Sequence, residues 1–520
     1  LNYQPKAIRL FLRATLVCLS LILLITIRQP ILATSNSNIL SGARWLKHVE
    51  EDLNPWWLDK NAFGEPIGNF PSFRCDDGEP VNLSELCPAF ENLPSDYGWL
   101  PLALDKNFIV SQSRQVYSYG VAYHLTGDPK FLSLAKAGVD WIRQYGLDQE
   151  NGGSFKYLQI ADRQPDLFVG QRTSQDLAYT LQGMSFYYYL TRDEEILSDI
   201  ISLKNFIFDN YYDSEQGLMM WTPGKYESQN SSDEYYNQRK RLISQLDQIN
   251  GYMLLLIPML PEPYKSEWKE DLINLSEILI DKFYSPKYNV FWLDLDKTED
   301  RKLLPGKADY GHTIKSLWMI YHTGQLVDDE SLINFATTNA DRLLQEAYDS
   351  DSGTWTSAPF LDKNGKIVRD LDKNWWIYAE LDQVAGTLSL IEPSYVGKYL
   401  QSTVNWWFDN MVDLTNHEVW NLLTSPKLEK KLPKQYHWKN GYHSYEHALV
   451  GYITSGATLG DLVELYFARK QGQEQESIRP YYYTGQIAEL EIEPMPLVAD
   501  NNLPSISELN KVTVTFRQIK

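Results

Sequence analysis

Five short turns recur along this chain about every 64 to 73 residues, and that period restricts its architecture more than any other feature. Four are acidic: Asp148-Gln149-Glu150-Asn151-Gly152-Gly153, Asp213-Ser214-Glu215-Gln216-Gly217, Asp349-Ser350-Asp351-Ser352-Gly353 and Asp413-Leu414-Thr415-Asn416. The fifth, near Tyr284-Ser285-Pro286, is degenerate. Each closes an amphipathic helix. Asp128-Pro129 opens one as N-cap and first helical position, and Phe131, Leu132, Ala135, Val139 and Ile142 follow at helical spacing. Others are predicted near 192–210, 266–283, 330–347 and 394–411. One period therefore holds a helical hairpin plus its connections. Five turns, with the first or last pair lacking one, give about six hairpins. Six hairpins closed in a ring make an all-α (α/α)6 barrel whose inner helices line one central pocket. An open solenoid is the competing arrangement, but its repeats are usually shorter, about 34 to 47 residues. The barrel is expected over 40–470.

The two ends of the chain differ from this pattern. Lys6, Arg9 and Arg13 precede an apolar run from Ala14 to Ile27, followed by Arg28, Pro30 and Ala33-Thr34-Ser35. That order reads as a signal peptide or N-terminal membrane anchor over 1–35, with residues 10–27 as the tethering stretch if it is retained. The body is expected to be exported, to a periplasmic or extracellular location. Cysteine usage agrees: Cys18 lies in the apolar run, and Cys75 and Cys87 bracket a polar loop that an oxidising compartment would close with a disulfide. At the other end, Lys470 to Arg479 is polar and Gln/Glu-rich. Two alternating stretches, Gln486 to Ile492 and Lys511 to Arg517, are predicted strands of a β-type extension over 471–520.

Composition narrows the partners. A formal charge of −20 argues against nucleic acid, whose binding needs Lys and Arg to neutralise phosphates. The 16 Trp and 34 Tyr offer flat faces that suit sugar rings, although aromatics also fill helical cores. Oligomeric state is left open.

Of eight histidines, two stand in glycine- and aromatic-rich settings: Gly311-His312-Thr313-Ile314-Lys315-Ser316-Leu317-Trp318 and Trp438-Lys439-Asn440-Gly441-Tyr442-His443. Each precedes helical spacing, so each is predicted at the start of an inner helix, facing the same cavity. Two imidazoles there can move a proton across a sugar carbon, because histidine titrates near neutral pH. The second stretch also spells H-x-x-E-H from His443 to His447, a spacing that can place two zinc ligands on one helical face. It has no evident third ligand, and neither a metal nor another cofactor is expected.

In this order the motifs resemble the N-acylglucosamine 2-epimerase superfamily, which includes cellobiose 2-epimerases and aldose–ketose isomerases. The resemblance covers roughly 100–460. It is carried by Arg114-Gln115-Val116-Tyr117-Ser118-Tyr119, by the Asp148 to Phe155 turn and by Gly311-His312 to Trp318. Lys373-Asn374-Trp375-Trp376-Ile377-Tyr378-Ala379-Glu380 and Trp438-Lys439 to Tyr442-His443 complete it. It implies an (α/α)6 barrel and a mono- or oligosaccharide substrate, with His312 and His443 as the acid/base pair. Arg114 then contacts the sugar oxygens, and Trp376 and Glu380 line the pocket. Asp247, Trp375, Trp438, Lys439 and Tyr442 complete the expected substrate-binding set. One histidine would remove the C2 proton, Arg114 would stabilise the enediolate, and the other histidine would return a proton to C2 or C1.

Three positions depart from the family pattern. Lys315 stands where the family commonly has glutamate, and Asp247 and Asn250 stand where it has a histidine and a glutamate. Lys315 is expected to depress the pKa of His312, with Asp247 compensating if it reaches that ring. Two other functions are compatible with such a barrel. One is an inverting glycoside hydrolase, which would use two of Asp247, Glu380 and Glu446 about 6.5 to 9.5 Å apart. The other is a non-catalytic saccharide-binding protein.

Overall fold

Among the described residues, twelve long helices pair into six hairpins around one axis. The computed structural model describes residues 40–165, 172–223, 239–295, 302–474 and 477–520. The expected leader over 1–35, with its tethering stretch and Cys18, lies outside the described residues, among which no helix is long and apolar enough to cross a membrane. The outer partner of the last hairpin comes first, as α1 over 42–57. Then follow α2 (Ile109–Thr126) and α3 (129–146), α4 (Ser174–Thr191) and α5 (Glu194–Tyr211), and α6 (242–256) and α7 (264–283). The ring continues with α8 (Tyr310–Val327) and α9 (Glu330–Ala347), α10 (Trp375–Ser389) and α11 (396–411), and α12 (Tyr442–Leu459).

The inner helices α2, α4, α6, α8, α10 and α12 are buried on almost every side, and each touches the next around the ring until α12 meets α2. This is the expected (α/α)6 barrel. It closes through α1, which packs on α12 from the opposite end of the chain. The outer helices bury one stripe only; in α9 this is Leu332, Ala336, Ala340, Leu343, Leu344 and Ala347, at three- and four-residue spacing. Close approach of α2 and α4 rests on Gly183, where a Cβ would stand 2.1 Å from the Ser113 carbonyl oxygen.

Local chemistry sets the hairpins. Gly127, Arg192 and Asp328 end inner helices in the left-handed conformation, and the next residue in each case is an aspartate that caps the outer helix. The recurrent turns follow the outer helices. Asp148, Asp213 and Asp413 each accept from two backbone N–H groups two and three residues on, which folds the chain back toward the next inner helix. The degenerate turn at Tyr284–Ser285 makes the same excursion, pairing with Val290–Phe291. Cys75 and Cys87 are disulfide-bonded across a separation of 12 residues.

Past α12 the chain enters an antiparallel sheet of β1 (Val463–Arg469), β2 (Gln486–Pro494) and β3 (Asn510–Arg517), in the order β1-β3-β2. The two predicted strands are β2 and β3. Strand β1 falls inside the range expected for the barrel, yet it is the edge partner of β3. It packs on α2, α4 and α12, with Val463, Leu465 and Phe467 buried at alternate positions. The extension is thus built into the end of the barrel.

Candidate active site

The N-terminal ends of the six inner helices open onto one cavity of about 220 Å³. Each helix start carries a partial positive charge, roughly half an elementary charge, so the cavity mouth favours anionic oxygen before any side chain is counted. Arg114, Asp247, His312, Trp375, Trp376, Trp438 and His443 line it, as expected from the sequence. Tyr97, Gln175, Tyr179, Lys315, Asn374, Asn421 and Tyr436 complete the wall. Register explains much of this set. Arg114, Tyr179, Asp247, Lys315 and Glu380 are each the sixth residue of their inner helix, and Glu446 is the fifth of α12. One position of the repeat therefore supplies Arg114, Tyr179, Asp247 and Lys315 to the wall and Glu380 beneath it, while the two histidines come from earlier positions of α8 and α12.

Both histidines pack against Trp376. Its ring centroid lies 4.7 Å from that of His312 and 5.9 Å from that of His443. His312 is held by Asp309, which caps α8: Oδ1 accepts from the His312 backbone N–H at 2.6 Å, and Oδ2 lies 2.7 Å from Nδ1. A carboxylate only accepts, so Nδ1 carries the proton and Nε2 is the free nitrogen. Asp247 does not reach this ring. It accepts instead from Gln175 Nε2 and the Tyr179 hydroxyl, both at 2.9 Å, because both donors project from α4, the neighbour of α6. The sequence clue to Asp309 was its place three residues ahead of His312, the spacing of an N-cap.

His443 sits deeper, its side chain 7% exposed against 25% for His312. Its Nδ1 is 3.4 Å from Glu380 Oε1 and 4.0 Å from Glu446 Oε2. Burial holds the imidazole well below its ordinary pKa, and the charges of Lys315 and Arg114 push the same way. The field of Lys315 thus falls on His443, where the sequence had suggested His312. Lys315 itself faces Glu380 at 3.7 Å. Burial opposes its charge, but Tyr179, Glu380, Asp247 and Glu446 outweigh this and keep the ammonium above the usual lysine range. Glu380 and Glu446 are raised, chiefly by burial and against the pull of Lys315.

Glu380, His443 and Glu446 bring one donor atom each within 4.8 Å of one another, close enough to share one positive charge. Lys315 already brings a positive charge to Glu380. The H-x-x-E-H spacing does not gather its two histidines: His447 turns away to Asp382, 3.2 Å from Nε2, between the rings of Trp45 and Trp407.

Arg114 lies flat on Tyr179, 3.9 Å from the ring centroid, and donates to the Trp438 carbonyl at 2.8 Å. Three expected binding residues are not on the wall. Glu380 is fully buried beneath it, and so is Tyr442, whose hydroxyl accepts from Asn250 at 3.0 Å. Lys439 points into the protein, where its ammonium donates to Glu418 at 2.9 Å. Glu418 also accepts from Trp57 at 2.7 Å and Ser444 at 2.6 Å, so this network ties α1 to α12.

Barrel and cavity together define a helical-barrel protein with a polar pocket that pairs two imidazoles with a guanidinium. The profile of the N-acylglucosamine 2-epimerase (GlcNAc 2-epimerase) family matches residues 96–170. The chain is 23% identical to a cellobiose 2-epimerase of Eubacterium cellulosolvens, over 65% of this chain and 86% of that one. It is 23% identical to one of Bacteroides fragilis, over 76% and 95%. Its fold is similar to a solved cellobiose 2-epimerase from Bacillus thermoamylovorans, with a TM-score of 0.64, 15% identity and coverage of 79% of this chain and 98% of that one. It is also similar to a solved D-mannose isomerase, with a TM-score of 0.62, 15% identity and coverage of 81% and 100%. The chain is thus similar to the N-acylglucosamine 2-epimerase family over residues 96–170 and to cellobiose 2-epimerases over most of its length.

Proposed function

We propose that this protein is an exported carbohydrate 2-epimerase or aldose–ketose isomerase that moves a proton at C2 of a reducing sugar between His443 and His312. The observation that carries the reading is the placement of both imidazoles on one cavity, each against Trp376 and together with Arg114. The activities named for the similar proteins support the reaction class. The Cys75–Cys87 disulfide supports export to an oxidising compartment, periplasmic or extracellular.

The chemistry follows from the geometry. A C2 proton next to a carbonyl is weakly acidic, so the base must be neutral and the developing enediolate must meet positive charge. His443 is neutral at physiological pH and takes the proton. Arg114, Lys315 and the helix N-termini stabilise the enediolate without moving. His312, its ring fixed by Asp309 through Nδ1, takes up a solvent proton at Nε2 and from the other side delivers it to C2, which inverts it, or to C1, which gives the ketose. Trp376 and Trp438 offer flat faces to the sugar.

The pH profile tests the assignment of the base. A lowered pKa means that His443 loses its proton at lower pH than a free histidine, so its base form persists below pH 6.5. The acid limb of kcat/KM is therefore expected to have its midpoint below about 6.5. A limb at or above that value would contradict His443 as the base. The reaction class itself is tested by incubating the protein with cellobiose, mannose, glucose and fructose and identifying products by NMR. Epimer or ketose formation supports the reading, and hydrolysis of cellobiose or no change in any sugar overturns it.

A further inference from the structure

The segment 477–483, between β1 and β2, plugs the far end of the barrel. It touches every inner helix. Tyr481 Oη lies 2.9 Å from Tyr117 Oη of α2, and the Tyr481 backbone N–H donates to Tyr189 Oη of α4 at 3.0 Å. Tyr482 Oη donates to the Asn250 carbonyl of α6 at 3.2 Å, and its ring stands edge-on to Trp318 of α8. Tyr483 Oη lies 2.8 Å from Thr387 Oγ1 of α10. Finally, Tyr481 Oη donates to Glu446 Oε1 of α12 at 2.7 Å. All three tyrosines are buried. Of these contacts, the Tyr481 hydroxyl on Glu446 is the one that leads toward the cavity.

We propose that Tyr481 is a positioning residue for the proposed reaction, holding Glu446 in place behind His443 from the closed end of the barrel. The proposal rests on the reading of His443 as an acid/base group. Tyr117, Tyr481 and Glu446 form a chain in which each hydroxyl donates to the next oxygen, so Tyr481 accepts from Tyr117 and gives its proton to the carboxylate. Glu446 Oε2 then remains to face His443 Nδ1 at 4.0 Å. Around this carboxyl stand Glu380 of α10, Lys315 of α8, Arg114 of α2 and Tyr442 of α12. Burial and Glu380 favour the neutral acid, whereas Lys315, Tyr481, Tyr442 and Arg114 favour the carboxylate. Removing the Tyr481 hydroxyl leaves Oε1 without that donor and shifts the balance toward the neutral acid. The negative charge that would face a protonated His443 is then lost.

The test uses the full chain and needs no substrate. The carboxylic-acid C=O stretch is followed by infrared spectroscopy during a pH titration, and Glu446→Gln identifies the band of Glu446. In Tyr481→Phe, which keeps the ring, the band is expected to persist to higher pH, with its midpoint raised by about one pH unit or more. Tyr117→Phe removes the hydroxyl that orders Tyr481 and is expected to move the midpoint the same way by less. Tyr482→Phe, whose hydroxyl is bound to the Asn250 carbonyl, leaves it unchanged. Unmoved midpoints in both Tyr481→Phe and Tyr117→Phe, or an equal shift in Tyr482→Phe, would overturn the proposal. If wild-type protein turns over no reducing sugar, the functional reading fails, while the infrared midpoints still decide the role of Tyr481.

Discussion

His443→Ala and His312→Ala are each expected to lower turnover of a reducing sugar by about 10²- to 10⁴-fold, the usual worth of a positioned general acid or base. The two losses should differ in kind. His443 rests on buried carboxyls, and its removal takes away the group that accepts the C2 proton. His312 is fixed by Asp309 at the opening of α8, and its removal leaves abstraction in place but blocks return of the proton to the opposite side. In His312→Ala, C2 of the substrate is therefore expected to exchange with solvent faster than product appears. In His443→Ala both rates should fall together. Equal retention of both activities in either variant would remove that histidine from the reaction. The double variant is expected to be little worse than the more damaging single one, because residues that act as a unit are not additive.

The largest effect on stability is expected at Lys439. The sequence had placed this lysine among the substrate-binding residues; its ammonium instead pairs with Glu418, with both side chains inaccessible to solvent. Burial raises the Glu418 carboxyl, but Lys439, Ser444 and Trp57 outweigh it and hold the group below the usual carboxylate range. Lys439→Met leaves that charge buried with two donors and no cation, and breaking a buried pair from one side costs about 3 to 5 kcal/mol. The urea midpoint should fall accordingly, with KM unchanged in protein that remains folded. Lys439→Met combined with Glu418→Gln should recover part of the loss, because no charge is then stranded. A raised KM with an unchanged urea midpoint would instead put Lys439 at the sugar.

These two outcomes mark where the sequence was and was not legible. The barrel could be read because its period is written in local chemistry: an aspartate that caps a helix or folds a turn needs no partner from elsewhere in the chain. His312 and His443 could be placed because each precedes a run at helical spacing, where the 3.6-residue period fixes direction, whereas Arg114 was placed by the resemblance that its motif carries. Lys439 precedes α12 in a loop, where no such period applies, and its direction is set by Glu418, 21 residues away. The role of α1 as the outer partner of α12 was hidden for a related reason, since a contact between the two ends of the chain leaves no periodic trace. Tyr481-Tyr482-Tyr483 carried no signal of its own. Three tyrosines next to a polar linker read as ordinary surface or core, and only the closed end of the barrel gives them six helices to touch. The neighbours of Lys315 were likewise out of view: Glu380 and Tyr179 come from other repeats, and they take up the charge that the sequence had assigned to His312.

The central claim is that solvent-exchangeable protons pass through His443 and His312 at C2. Its most direct test is the reaction of wild-type protein in D2O with a reducing sugar that it converts, with deuterium located by NMR in product and in recovered substrate. Deuterium is expected at C2 of an epimer, or at C1 of a ketose, with incorporation lost in the His443→Ala variant. Product whose C2 or C1 hydrogen came entirely from the substrate, with no solvent deuterium at any extent of reaction, would contradict it.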